Sequence, residues 1–183
     1  MLIAEFDDAV CLEGENLKLR TLVKSDRSAL HFAASDPETW AGHPAMNRHE
    51  PDIFDPYFDF LLRSGGTLVV LERSSDKIIG CSRYYTSEDI NGGIAIGFTF
   101  LNHRYWGGAY NREMKALMLD HAFKSFEKVW LHIAPNNIRS QRATAKIGAT
   151  YADTREIDLG SGKKMAQRWC LARDTWQDLK TSH

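Results

Sequence analysis

The sequence predicts an α+β fold: a mixed, mostly antiparallel sheet with helices packed on it. Three observations carry this reading. Short runs of β-branched or alternating apolar residues recur at residues 17–21, 67–72, 78–85, 94–100, 129–133, 151–157 and 164–171. Several neighbouring runs are joined by brief links rich in turn residues, at 73–77, 87–93 and 158–162, which makes hairpins of them. Between the other runs stand apolar residues at helical spacing, so strands and helices are interleaved in the order β-α-α-β-β-β-α-β-α-β-β.

The elements follow in order. In NLKLRTL, Leu17, Leu19 and Thr21 alternate with charged residues as a first strand. Ser25 or Asp26 then caps a helix with Ala29, Leu30, Phe32 and Ala33 on one side, ending near Ser35 before Asp36-Pro37. Trp40 to Glu50 lacks periodicity and is expected as a polar loop dotted with aromatics. A second helix follows, from about Ile53 to Arg63, with Phe54, Tyr57, Phe58, Leu61 and Leu62 as its apolar side; Ser64-Gly65-Gly66 stops it. Ile94, Ile96, Phe98 and Phe100 share one side of a later strand, and Met114, Leu117, Met118, His121 and Ala122 mark the apolar side of the next helix. Asn137 caps the helix 138–147, with Ser140 on its first turn and Gly148 at its C′ position. A short tail helix starts near Asp174.

The chain has 183 residues, the size of one domain, and a formal net charge of −1. No repeat, low-complexity tract or linker divides it, so residues 1–183 are expected to fold as one domain. The near-zero charge gives no bulk electrostatic case for nucleic acid or a membrane surface as partner. Cys11, Cys81 and Cys170 are far apart and not at metal-ligand spacing, so neither a disulfide framework nor a metal site is expected, and a cytoplasmic location follows. MLIAEFDDAV has acidic residues where a signal peptide carries basic ones.

The stretch around which the chain is organised is the strand-turn-helix at 94–126, broken by Arg104-Tyr105-Trp106-Gly107-Gly108-Ala109. A glycine turn into a helix leaves the first N–H groups of that helix unpaired, where an anion can sit. Ala109-Tyr110-Asn111 follows the glycines in place of the Lys-Ser or Lys-Thr of a P-loop, and GxGxxG is absent. The turn reads as a phosphate cradle of another kind.

Arg104-x-x-Gly107-x-Ala109 resembles the pyrophosphate-binding motif of the GCN5-related N-acetyltransferases. Asn137-x-x-Ser140-x-x-Ala143, followed by Lys146-Ile147-Gly148, resembles the second cofactor motif of that superfamily, in the family's order and spacing. The serine at position 140 is similar to the branch that includes the ribosomal-protein N-terminal acetyltransferases. The resemblance spans roughly residues 16–171. It implies a sheet with a splayed central pair of strands, helices on both faces, and acetyl-CoA as co-substrate without a metal.

By that resemblance, cofactor contacts fall on the main chain of Thr99, Phe100 and Leu101 for pantetheine, and on Arg104 and the amides of Trp106, Gly107, Gly108, Ala109, Tyr110 and Asn111 for pyrophosphate. Asn137 and Ser140 complete the set. The oxyanion donor is expected at about the Phe100 N–H, and Ser140 is the expected proton donor to the thiolate, because Thr144 stands where many members carry a tyrosine. Ala95 stands where a glutamate base is frequent, which leaves Glu88 or Asp89 to act directly or through water; His103 and His132 have suitable ordinary pKa values. Trp40, His43 and Tyr84 are the acceptor-side candidates. The acceptor would be a small-molecule or peptide amine, and the resemblance is compatible with a homodimer. A CoA-binding sensor that has lost turnover is the alternative that Ala95 and Thr144 keep open.

Overall fold

The computed structural model describes residues 6–182. Met1–Glu5, half of the segment read against a signal peptide, and His183, the end of the expected domain, lie outside the described residues. Among the described residues eight strands form one sheet: β1 (Cys11–Glu13), β2 (Leu17–Thr21), β3 (Thr67–Glu72), β4 (Lys77–Tyr85), β5 (Ile94–Leu101), β6 (Lys128–Ile133), β7 (Thr150–Asp158) and β8 (Lys163–Ala172). Their order is β1-β2-β3-β4-β5-β6-β8-β7. β5 and β6 run parallel, whereas β1–β2, β2–β3, β3–β4, β6–β8 and β7–β8 are antiparallel. The helices are α1 (Arg27–Ala34), α2 (Pro51–Ser64), α3 (Tyr110–Ala122), α4 (Ile138–Lys146) and α5 (Arg173–Thr181). The predicted α+β class is therefore observed, with β1 as an additional edge strand.

The described residues fall into two compact units: those up to Tyr84 with 98–120, and 85–97 with those from His121 onward. The first holds a core of Leu22, Leu30, Ala33, Ala34, Trp40, Phe54, Tyr57, Phe58, Leu61, Val69, Leu71, Cys81 and Phe100. α2 supplies Phe54, Tyr57, Phe58 and Leu61, which sit at i, i+3, i+4 and i+7 and so lie on one stripe. Burying each such side chain contributes about 1.5–3 kcal/mol before chain entropy is counted. Gly65, at φ 69°, ends that helix.

α1 departs from its expected face. Leu30, Ala33 and Ala34 are buried, whereas Phe32 is 79% exposed. Asp26, expected as a cap, accepts instead from the Val23 N–H (2.9 Å) and from both terminal nitrogens of Arg20 (2.8 Å each). Burial opposes its ionisation, but these bonds hold its pKa below the usual carboxylate value. On α3 the buried positions are Met114, Met118, Leu119 and Ala122, so Leu119 replaces Leu117 and His121 on the inner face.

In the second unit, β6 and β8 pair in register from Lys128↔Ala172 to Ile133↔Gln167, which sets His132 opposite Arg168. Val129, Leu131 and Ile133 point inward and are buried, and their alternation leaves Trp130 and His132 on the other face. The parallel pairing of β5 with β6 covers Ile94↔Val129 and Ala95↔Trp130.

Candidate active site

The glycine turn lies in the first unit. Leading into it, Asn102 caps a short 3₁₀ turn: its side chain accepts from the Arg104 N–H (3.1 Å) and donates to the Ala33 carbonyl (3.0 Å). Gly107 has φ +75°, a conformation that glycine takes without penalty, and a Cβ built there meets nothing within 4 Å. At Gly108 the nearest atom to such a Cβ is Tyr110 Cδ2 at 3.9 Å. The first helical bond is Glu113 N–H to Ala109 O (2.8 Å), so the amides of Gly107 to Asn111 have no acceptor among the described residues. The Glu113 carboxylate in turn accepts from the main-chain N–H groups of Asn16 (2.8 Å) and Leu17 (3.0 Å), which ties the start of α3 to β2. Space, unpaired donors and helix polarity together fit a pyrophosphate. Trp106 is a correction to the expected set: its amide donates to His103 O (3.0 Å), and its indole N–H donates to Leu101 O (2.8 Å). It props the turn rather than supplying a free amide. Arg104 is exposed beside it.

β5 does not alternate cleanly up to this turn. Phe98 has φ 51°, in the left-handed region that costs a bulky residue about 1–2 kcal/mol. Its carbonyl accepts from Tyr57 Oη (3.4 Å) and lies 3.6 Å from Cys81 Sγ. The expected four-residue stripe is thus broken at Phe98, and Phe98 and Thr99 are half-buried while Phe100 is buried. Burial pushes the Cys81 thiol up to about 12, so it is no nucleophile near neutral pH. The Phe100 amide lies on that sulfur and opposes the shift.

Thr99 shows a contact that sequence reading missed. Its hydroxyl is 2.7 Å from Ser82 Oγ and accepts from Lys115 Nζ (3.3 Å). Burial pushes the Lys115 ammonium down to about 8. Only the register of α3 against β5 brings the two together, and no local pattern announces that.

In the second unit, Asn137 caps α4 as expected, its side chain accepting from the Ser140 N–H at 3.2 Å. Ser140 is half-buried, and its hydroxyl has no partner among the described residues. Thr144, one turn on, is 4% exposed. Gly148 closes the helix at φ 85°.

The hairpin from β4 to β5 separates the two acidic candidates. Glu88 is exposed, whereas Asp89 enters a buried network. Asp89 Oδ2 is 3.0 Å from His132 Nε2 and 2.9 Å from Arg168 Nε, and Asp89 Oδ1 accepts from Ser87 Oγ at 2.5 Å. His132 Nδ1 is 2.8 Å from Tyr85 Oη. Arg168 also reaches the Asp89 carbonyl (3.2 Å) and Asp153 Oδ2 (3.2 Å), and its guanidinium carbon lies 4.5 Å from the centroid of Trp130. Burial penalises the Asp89 charge, but Ser87, His132 and Arg168 bring its pKa below the usual carboxylate value. For His132, burial dominates over the attraction of Asp89, and its pKa falls below that of a free imidazole.

The acceptor-side candidates are placed unevenly. Trp40 is 1% exposed and its indole donates to Ala34 O (2.8 Å); Tyr84 is 0% exposed and its hydroxyl donates to Met118 O (2.7 Å). Both are core residues, a correction that follows from burial with the polar atom bonded inside. His43 stays half-buried, its Nδ1 accepting from the Ala45 N–H (2.9 Å). The same loop carries Arg48, which with Trp40, His43, Met46 and His49 makes it chemically rich in sequence. Its guanidinium lies 3.9 Å from the Tyr57 centroid and 5.6 Å from that of Trp40, with no carboxylate partner among the described residues. Among those residues, no group of three His, Cys, Asp or Glu could hold a metal, and no helix is long and apolar enough to cross a membrane.

Comparison with known proteins gives the context. Three solved structures illustrate the likeness in fold. A GCN5-related N-acetyltransferase from Brucella melitensis has a TM-score of 0.80 at 17% identity, covering 95% of this chain and 83% of that one. A proposed ribosomal-protein-serine acetyltransferase from Vibrio cholerae gives 0.70 at 15%, covering 89% and 97%. Mycobacterium smegmatis RimJ, in complex with CoA-disulfide, gives 0.64 at 15%, covering 91% and 88%. No curated protein matches the sequence. The family model for the acetyltransferase (GNAT) domain matches residues 16–150, both glycine turn and Asn137-Ser140 motif included, and the chain therefore belongs to the GNAT acetyltransferase family.

Proposed function

We propose that this protein is an acetyl-CoA-dependent N-acetyltransferase that moves the acetyl group directly to a primary amine within a ternary complex. The observation that carries it is the run of unpaired amides from Gly107 to Asn111 at an open glycine turn. Acetyl-CoA supplies the activated acyl carbon; the chain supplies grip, orientation and proton transfer. The Gly107–Asn111 amides and Arg104 hold the pyrophosphate, and the β5 main chain at Thr99, Phe100 and Leu101 lines the pantetheine; the Phe100 amide, engaged by the Cys81 sulfur, is not the oxyanion donor expected from the sequence. Asn137 orders the first turn of α4, from which Ser140 offers its unpaired hydroxyl to the departing thiolate. Direct transfer is favoured because the one cysteine near β5 has its pKa pushed up to about 12.

The family match draws on residues of both compact units, which supports reading residues 1–183 as one catalytic domain. Arg48, a cation stacked on Tyr57 and free of carboxylates among the described residues, favours acceptor amines that also carry an anionic group. His43 shares that loop and stays in the acceptor proposal. The resemblance at Ser140 to the ribosomal-protein N-terminal acetyltransferases makes a protein N-terminus one acceptor to try.

The test is calorimetry with acetyl-CoA and CoA, beside a thiol-release assay over amines with and without a carboxylate. Binding with amine-dependent thiol release is expected. Tight binding without release above background hydrolysis would instead identify a CoA sensor, and absence of binding would end both readings.

A further inference from the structure

Lys115 carries a charge for which the fold supplies no opposite charge. It lies in the second turn of α3 and is half-buried. Among the described residues the one partner of its Nζ is Thr99 Oγ1 at 3.3 Å, a neutral hydroxyl that stands 2.7 Å from Ser82 Oγ. An ammonium has three N–H donors, so two of them find no acceptor among those residues. Burial lowers its pKa to about 8, and no neighbouring charge raises it. Elsewhere the fold treats enclosed cations differently: Arg20 is paired with Asp26, and Arg168 with Asp89.

The place of Lys115 on its helix accounts for the exception. Lys115 and Asn111 are four residues apart and share one face of α3. Helical side chains lean toward the N-terminus, so the Lys115 stem runs back over the turn that begins at the glycine cradle, whose amides from Gly107 to Asn111 have no acceptor among the described residues. Its tip ends against Thr99, on the strand proposed to line the pantetheine. Lys115, Thr99, Ser82 and the glycine turn all belong to the first unit. We infer that Lys115 is a cofactor-binding residue whose ammonium is the counter-charge for the diphosphate of acetyl-CoA. The inference rests on the acetyltransferase reading above. The amides fix where the diphosphate sits, Lys115 adds the full charge that amides lack, and Thr99 holds the ammonium in place before the ligand arrives.

A cation of this kind makes cofactor affinity depend on pH. The groups facing Lys115 are Thr99 from β5 and, beyond it, Ser82 from β4; Arg112 stands three residues back on the same helix and is exposed. None of these changes charge between pH 7 and 10, so the ammonium is the group that does. An anion beside it favours the charged form, and by reciprocity the charged form favours the anion by the same factor. Binding therefore raises the Lys115 pKa. Affinity is full below about pH 8 and is lost as pH rises through the raised value, and a rise of one unit corresponds to about tenfold in affinity.

The experiment uses the full chain and acetyl-CoA, with no acceptor amine present. Calorimetry at pH 8.5, in two buffers that lack primary amines and differ in ionisation enthalpy, counts the protons taken up on binding. The wild type should take up about half a proton more than Lys115→Met, as for a pKa that moves from about 8 to about 9, and the difference cancels every other group that titrates there. Wild-type affinity should fall about tenfold from pH 7 to pH 10. Lys115→Met should bind about tenfold more weakly at pH 7, whereas Lys115→Arg, which keeps the charge and does not titrate in this range, should bind within threefold of wild type without the extra uptake. NMR titration of the wild-type lysine side chains needs no variant: one amine titrating near pH 8 should move up by about a unit when acetyl-CoA is bound. A lysine kept only for its bond to Thr99 would lower the melting temperature of Lys115→Met and leave uptake unchanged. Equal uptake in wild type and Lys115→Met, Lys115→Arg binding as weakly as Lys115→Met, or an amine whose titration acetyl-CoA does not move overturns the counter-charge and leaves the acetyltransferase reading intact. Wild type that binds no acetyl-CoA overturns both.

Discussion

The glycine turn of the first unit and the β4–β5 hairpin of the second treat their polar groups in opposite ways. From Gly107 to Asn111 the main-chain donors have no acceptor among the described residues, and nothing lies within 4 Å of a Cβ built at Gly107. Around Asp89 the side chains of Ser87, His132, Arg168 and Tyr85 are all engaged with one another, and His132 is sealed from solvent. The first arrangement keeps binding capacity in reserve for a ligand; the second uses its groups on each other and so fixes their protonation. An open run of donors suits a ligand and a closed network suits a fixed protonation state, and local geometry builds the two in different stretches of chain.

If the hairpin network is closed, removing its centre should be costly to the fold. Asp89→Ala strips the carboxylate from beside Arg168 and His132, whose side chains are 8% and 0% exposed. A buried pair broken on one side loses about 3–5 kcal/mol. Urea unfolding should show a loss of that size, and a change under about 1 kcal/mol would mean that water already satisfies the network.

The open turn predicts the converse, a loss of ligand without loss of fold. Gly108→Val places a side chain where only Tyr110 Cδ2 lies near, at 3.9 Å, so the protein accommodates it while the approach of a pyrophosphate is blocked. Acetyl-CoA affinity should fall about 10²-fold, the worth of one or two charge-assisted hydrogen bonds, with the melting temperature little changed. Gly107→Val adds strain at φ +75° and should lower both. Calorimetry on the Gly108 variant showing unaltered affinity would remove the turn from the binding site.

The contrast also explains how far the sequence could be read. Periodicity and turn chemistry act locally, so the strands after β1, the α2 stripe, the Asn137 cap and the Gly148 stop were legible residue by residue. The glycine turn and the Asn137-Ser140 turn were legible for the same reason, since each is a local turn with its capping residue. Phe98 was not, because alternation gives no warning of a left-handed residue inside a strand. Trp40 was misplaced because a tryptophan in an aperiodic loop reads the same whether it lies outside or, as here, donates to Ala34 O within the core. Asp89, His132 and Arg168 come from three segments, and only the pairing of β6 with β8 sets His132 opposite Arg168. Long-range register joins them, so single-residue chemistry put Glu88 and Asp89 on equal terms where the fold separates them.

Ser140 tests the comparison from between the two extremes. It sits on a capped helix turn, yet its hydroxyl is unpaired among the described residues, so it belongs with the open groups. Ser140→Ala should leave stability within about 0.5 kcal/mol, as for a partly exposed position without bonds to lose. Turnover should drop about tenfold, below the usual range for proton donors because water can replace the hydroxyl. Acetyl-CoA affinity should change less. An unchanged kcat would remove Ser140 from proton transfer and leave it as a helix-turn residue alone.

The smallest effect concerns acid sensitivity, which the closed network should confer and the open turn should not. His132 has a folded-state pKa below its unfolded value of about 6.5, so between the two the unfolded chain binds more protons. Its contribution is then fully present above about pH 6.5 and is lost as pH falls toward the folded value. Asp89, depressed as a carboxylate, acts in the same direction but only below about 3.9, so the two windows do not overlap near neutrality. From pH 7.5 to 5.5 the wild type should lose about 1 kcal/mol more unfolding free energy than His132→Gln, since one proton contributes at most about 1.4 kcal/mol per pH unit. The comparison is made within each protein across pH, so any overall destabilisation by the substitution cancels. Parallel profiles would mean that the ring titrates alike folded and unfolded, and the network around Asp89 would then be open to water after all.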